Sequence, residues 1–174
     1  SLGQDVQASM GSLMRIDEVL HAAPEPDDDL PDTAPLAHEV RLVSVGMSYT
    51  PDRRALDGVD VTIRVGTRVA FVGSSGSGKS SVMRLLMRLH EPDDGAILVD
   101  GVDLRATSLA SWRSQLGVVF QDSFLFDATL RENIALGRPG ATEDEVRAAA
   151  RAAGVEAFVE PLDRGWETLV GENG

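Results

Sequence analysis

An α/β fold is the architecture this sequence predicts, and three observations predict it. Apolar residues alternate in short runs, first Val43, Val45, Met47 and Tyr49 and then Val59, Val61, Ile63 and Val65, as half-buried strands require. Elsewhere they recur three and four apart, as in Val82, Leu85, Leu86 and Leu89, which lines one face of a helix. Between these two kinds of segment a Gly/Ser-rich loop at 73–80 joins a short apolar run to a helical one. A hydrophobic content of 43% over 174 residues is enough to build a core around such elements.

The elements follow in order. Residues 1–21 carry Leu2, Val6, Met10, Leu13, Ile16 and Leu20 on one helical face, a stripe that must pack on something. Residues 22–38 hold Pro24, Pro26, Pro31 and Pro35 among acidic side chains, which predicts an extended, self-repelling linker and a domain boundary near Glu39. The two alternating runs are read as strands joined across the turn-prone Asp57 and Gly58. A short strand at 68–72 enters the loop, and a helix at 80–89 leaves it. A turn at 92–95, a strand at 96–99, a short helix capped by Ser108 and a strand at 116–120 complete the first part. Thr129 with Glu132, and Thr142 with Glu145, fit the capping box; Val146, Ala149, Ala150 and Ala153 make the buried face of the second helix, which Gly154 stops.

Charge narrows the function. A formal net charge of -12 excludes a diffuse nucleic-acid footprint, because phosphate backbones are bound by clustered Lys and Arg. With no cysteine, disulfides and thiolate metal sites are excluded too. No apolar run approaches the ~20 residues of a membrane span, and no charged start followed by an apolar stretch suggests a signal peptide. Any anion bound here must be held by a local device.

The string GSSGSGKS at 73–80 is that device. It matches GxxxxGK[ST], the Walker A phosphate loop, in the strand–loop–helix setting the motif demands. Gly73, Gly76 and Gly78 permit conformations that let the amides of Ser74, Ser75, Ser77 and their neighbours converge on phosphate oxygens, and the helix that follows Lys79, opening at Ser80 and Ser81, adds its positive end. Lys79 is the only lysine, the other fifteen basic residues being arginine. A narrow loop touching β and γ phosphates favours a compact ammonium over a planar fork. Ser80 would offer its hydroxyl to Mg²⁺.

The flanks decide which kind of nucleotide protein this is. From 39 to 174 the chain resembles the nucleotide-binding domain of exporter-type ABC transporters: VSVGMSYTPDRRALDGVDVTI its opening strands, SSVMRLLMRLHEPDDGAILVDGVDL the helix and hairpin after the P-loop, LGVVFQDSFLFDATLRENIALG the Q-loop and start of the helical subdomain, and WETLVGENG the X-loop. The resemblance implies a truncated P-loop NTPase (ABC ATPase) core with an antiparallel β subdomain and the start of a helical subdomain. It implies ATP and Mg²⁺ as ligands. Residues 1–21 resemble the cytoplasmic end of the last transmembrane helix of a fused half-transporter, which would put this segment at the cytoplasmic face of the cell membrane.

Site residues follow by position. An aromatic closing a strand usually packs, but the resemblance makes Tyr49 the ring on which adenine stacks. An isolated glutamine is usually solvated, but the frame VVFQDSFLF makes Gln121 the residue that reaches Mg²⁺ and the attacking water; Lys79 and Gln121 would be the catalytic pair, Ser80 and Gln121 the metal ligands. Glu172 would contact the transmembrane domain, although Asn173 stands where the family commonly has arginine. The implied protein hydrolyses ATP only as a head-to-tail dimer of nucleotide-binding domains, with the signature LSGGQ, Walker B and switch histidine beyond Gly174, so that residues 1–174 alone would be inactive.

Two alternatives are weighed against this. Asp100 ends the apolar run Ile97, Leu98, Val99 and imitates a Walker B acid, as a small P-loop kinase would need; Gly101 follows it instead of glutamate, and a hairpin fits better. A purely regulatory nucleotide module is the other. Neither Asn133 nor Asn173 fits the base reader of a GTPase, and His21, His38 and His90 are poor switch candidates.

Overall fold

Strand pairing begins where the prolines stop. In the computed structural model, which describes residues 17, 20, 21, 25, 29–122 and 124–171, strand β1 (Glu39–Thr50) turns at Pro51 and Asp52 into β2 (Arg53–Arg64). Strands β3 (Asp94–Val99) and β4 (Val102–Asp103) complete an antiparallel sheet of order β2-β1-β3-β4. Helix α1 (Lys79–Leu86) packs Val82 and Leu85 on it, and α2 (Leu109–Arg113) adds Trp112 to the same core. The predicted stripe at 1–21 lies outside the described residues except for position 20, where Leu20 is exposed.

Burial along β1 changes phase. Val40 and Leu42 point inward, then Val45 and Met47 do, because a bulge at Ser44, held at φ 46°, inserts one residue. A compensating bulge falls at Asp57 and Gly58, so Leu42 still meets Val61, Val45 meets Val59 and Met47 meets Leu56. Asp57 and Gly58, expected as the hairpin turn, therefore lie inside β2. The β1 bulge also explains Gly95: a Cβ there would collide with the carbonyl oxygens of Val43 and Ser44.

Helix α1 stops three residues earlier than its apolar spacing predicts. Arg88 adopts the left-handed conformation at φ 51°, with Leu89 N–H donating to the Arg84 carbonyl and Arg88 N–H to that of Leu85, a Schellman stop that leaves Leu89 half exposed. Arginine tolerates the position because its buried guanidinium donates to Thr107 O at 2.8 Å and to Glu91. The orphan carbonyls beyond are taken by α2: Trp112 Nε1 donates to Leu86 O at 2.7 Å, and Arg113 to Met87 O and Arg88 O. Arg113 also meets Glu25 in two bonds of 2.7 Å.

Residues 31–39 run along this first unit. Thr33 exchanges bonds with Ser111, Gln115 bonds Leu36 N–H, and the Asp100 carboxylate accepts from the amides of Ala37, Glu39 and His38 at 2.7, 2.7 and 2.9 Å. Those three amides hold the Asp100 carboxyl below its ordinary range. Asp100 and Gly101, both at positive φ, form the tight turn of the β3–β4 hairpin.

Neither 68–72 nor 116–120 is a strand. No neighbour among the described residues offers them a ladder, and Val72 and Val119 are more than nine-tenths exposed.

The chain divides into two units, Ser1–Gly117 and Val118–Gly174. In the second, strands β5 (Ala128–Thr129) and β6 (Leu169–Val170) pair, with α3 (Leu130–Ala135), α4 (Glu143–Ala152) and α5 (Glu156–Val159) between them. Both capping boxes form as expected. Gly154, at φ 71°, ends α4 as expected, but only Val146 and Ala150 of its predicted apolar face are buried; Ala149 and Ala153 are exposed.

Candidate functional site

The site is a cleft of about 210 Å³ in the first unit, between the end of β1, the start of β2 and the loop that opens α1. Gly76 and Gly78 take φ of 80° and 89°, and Gly78 is the last residue before the helix. A Cβ at Gly78 would stand 2.7 Å from Ala55 O and 2.6 Å from the Leu56 side chain, while one at Gly73 would stand 2.6 Å from Ser77 Oγ. Glycine is thus required twice over at 78, by torsion and by close approach of β2. The resulting loop leaves the first amides of α1 without intrahelical partners, as every helix start does.

Lys79 opens the helix and folds back across the loop. Its ammonium donates to Ser74 O at 2.7 Å, Gly73 O at 3.0 Å and Ser77 Oγ at 3.3 Å. No carboxylate pairs with it among the described residues, so its charge is held only by neutral oxygens. Ser80 lies exposed on the cleft wall with no hydrogen-bond partner for its hydroxyl among the described residues. Ser81 is buried, and its Oγ lies 3.0 Å from Tyr49 Oη.

Tyr49, Gly76, Ser77, Gly78, Lys79, Ser80 and Ser81 all line this cleft, so the aromatic residue and the greater part of the loop are brought together. Gly73, Ser74 and Ser75 form the exposed limb of the same loop. Gln121 belongs to the second unit, where it is exposed. Glu172 lies outside the described residues. Sequence reasoning missed Arg84, whose Nη1 donates to Tyr49 Oη at 3.2 Å, and Arg53, which joins the cleft wall. The first had a signal, since it sits three residues after Ser81 on one helix face; the second had none.

The arrangement suits a polyphosphate ester of a flat base. Among the described residues there is no cluster of three or more His, Cys, Asp or Glu that could hold a metal ion. An exposed serine hydroxyl beside an anion loop fits Mg²⁺, which arrives with phosphate oxygens and water as most of its shell. Asp100 does not serve as a metal-strand acid, its carboxylate being engaged by three amides. Asn133 is likewise committed, bonding the backbone of Phe126 on both sides of its amide.

Comparison with known proteins agrees with this geometry. A family model described as "ABC transporter" matches residues 56–174. Over 172 residues, 97% of this chain and 27% of the relative, the sequence is 41% identical to a fatty acid ABC transporter ATP-binding/permease protein of Mycobacterium bovis. It is 42% identical over 174 residues, 99% of this chain and 24% of the relative, to the cyclolysin secretion/processing ATP-binding protein CyaB of Bordetella pertussis. The fold is similar to that of a bacterial Atm1-family ABC exporter solved with ATP bound, with a TM-score of 0.83 and 37% identity, covering 96% of this chain and 30% of that one. The chain spans about a quarter of the length of the curated relatives it matches.

Proposed function

The chain belongs to the ABC transporter family as part of an exporter-type ATP-binding domain, and from that premise we propose that it grips MgATP for hydrolysis coupled to export of a substrate across a membrane. The geometry that carries the proposal is Lys79, the single lysine, poised over a glycine-shaped loop with no carboxylate paired to it among the described residues. When a triphosphate enters, its β and γ oxygens replace the carbonyls of Gly73 and Ser74 as partners of the ammonium. The loop amides and the start of α1 take the remaining oxygens.

Tyr49 stacks on the adenine, the hydroxyl of Ser80 faces the phosphate tail, and Ser81 contributes its backbone amide in the first turn of α1. Ser80 and Gln121 would hold Mg²⁺, which when bound neutralises the charge on the β and γ phosphates. Gln121 also orients the attacking water. The remaining catalytic groups come from segments not found in residues 1–174, which contain no LSGGQ string. A second nucleotide-binding domain, docked head to tail, lays its signature over this P-loop.

In the whole transporter, 1–21 is the cytoplasmic end of the last transmembrane helix, 22–38 the linker and 39–174 the front of the nucleotide-binding domain. The Gln121 loop and Glu172 face the membrane domain of the same chain at the cytoplasmic surface. No helix among the described residues is long and apolar enough to cross a membrane. Lys79→Ala in the full-length transporter should abolish MgATP hydrolysis; undiminished turnover of the purified variant overturns the proposal.

A further inference from the structure

We propose that Arg84 and His90 are positioning residues that hold Tyr49 as a preformed platform for the nucleotide base, locked to the phosphate loop before any nucleotide arrives. This rests on the reading of the cleft as an ATP site and deepens it.

Tyr49 is 38% exposed, near the end of a strand, where a two-torsion aromatic would ordinarily swing. Its hydroxyl is instead fixed from two sides. Ser81 Oγ lies 3.0 Å away on a residue only 4% exposed in the first turn of α1, and Arg84 Nη1 donates to the same oxygen at 3.2 Å. The ring is fixed as well. The Arg84 guanidinium carbon stands 5.5 Å from the ring centroid, and the His90 ring meets Tyr49 edge-on, 5.6 Å between centroids at 89°.

Arg84 makes no ion pair among the described residues, although eleven such pairs occur elsewhere in them. Its polar contact is Tyr49. Ser81 and Arg84 share one face of α1, and the Schellman stop at Arg88 turns the chain so that His90 returns to the ring. Base platform and phosphate cradle are therefore built on the same short helix. A ligand that uses only the cradle gains nothing from Arg84; a ligand with a base gains a ring whose ordering cost is already met.

Calorimetry on the full-length transporter separates the two. Affinities for MgATP and for magnesium tripolyphosphate are measured in the wild type, Arg84→Met, His90→Ala, Tyr49→Ala, Arg84→Met with Tyr49→Ala, and Lys79→Ala. Arg84→Met should weaken MgATP roughly 3- to 10-fold, as expected for loss of a cation–π contact and a hydrogen bond at a half-exposed ring, and leave tripolyphosphate unchanged. His90→Ala should act in the same direction more weakly, and Arg84→Met should add nothing once Tyr49 is Ala.

Equal weakening of both ligands by Arg84→Met would make its role merely structural and overturn the proposal. So would unchanged MgATP affinity in both Arg84→Met and His90→Ala while Lys79→Ala abolishes binding; in that case the phosphate-loop reading stands alone. Intact binding of both ligands in Lys79→Ala sinks that underlying reading and the positioning role with it. Should Arg84→Met fail to fold, the exposed His90→Ala carries the same comparison.

Discussion

At Gly78 two demands coincide. The residue sits at φ 89°, and a Cβ would press on Ala55 O and the Leu56 side chain, which belongs to the core. Left-handed backbone alone costs about 1–2 kcal/mol for an L-residue. Gly78→Ala should therefore lower stability by at least that much and abolish MgATP binding, read as a fall in melting temperature that nucleotide no longer reverses. Residues such as Gly78 and Lys79 were legible in the sequence because their motif names both torsion and charge. Tyr49 was legible only through resemblance, since nothing in its neighbours reveals that Ser81 and Arg84 will bind its hydroxyl. The partnership of Asp100 with the amides of 37–39 was hidden altogether, because it joins positions some sixty residues apart.

Helix ends show the same division between local and distant causes. The capping boxes at Thr129 and Thr142 and the glycine stop at Gly154 were readable, since cap and partner lie within one turn of each other. The end of α1 was not readable, because its stop is an arginine whose left-handed torsion depends on Thr107 and on groups from α2. Trp112→Phe would keep the core ring and leave Leu86 O without its 2.7 Å donor. It should destabilise by about 1–3 kcal/mol in urea unfolding, with little change in the dependence on urea concentration.

Acid should act on these ends too. The carboxyls of Glu132 and Glu145 are held low by the Thr129 and Thr142 caps, and that of Asp100 by backbone amides. Each has a folded pKa below its unfolded one, so its stabilisation is complete above about pH 4.5 and is lost as pH falls through the lowered folded values. Melting temperature should drop below that pH, and Asp100→Asn should make the drop shallower.

For the whole molecule, the difference between expectation and structure concerns the sheet. Apolar content at 68–72 and 116–120 reads as strand, but a ladder needs neighbours that no local pattern supplies. Val72, Val119 and Phe120 consequently stand exposed among the described residues. Residues 1–174 by themselves should hydrolyse ATP near background and self-associate; steady turnover by a monomer, seen by light scattering with a coupled assay, contradicts this.

The Lys79 ammonium, resting on the carbonyls of Gly73 and Ser74, is also the one side-chain amine in these 174 residues. Amine-selective acylating reagents that scatter over the surface of most proteins have a single side-chain amine to attack in this segment, at the mouth of the cleft. The loop thus carries its own chemical reporter: whatever occupies the cradle competes with the reagent for the same nitrogen.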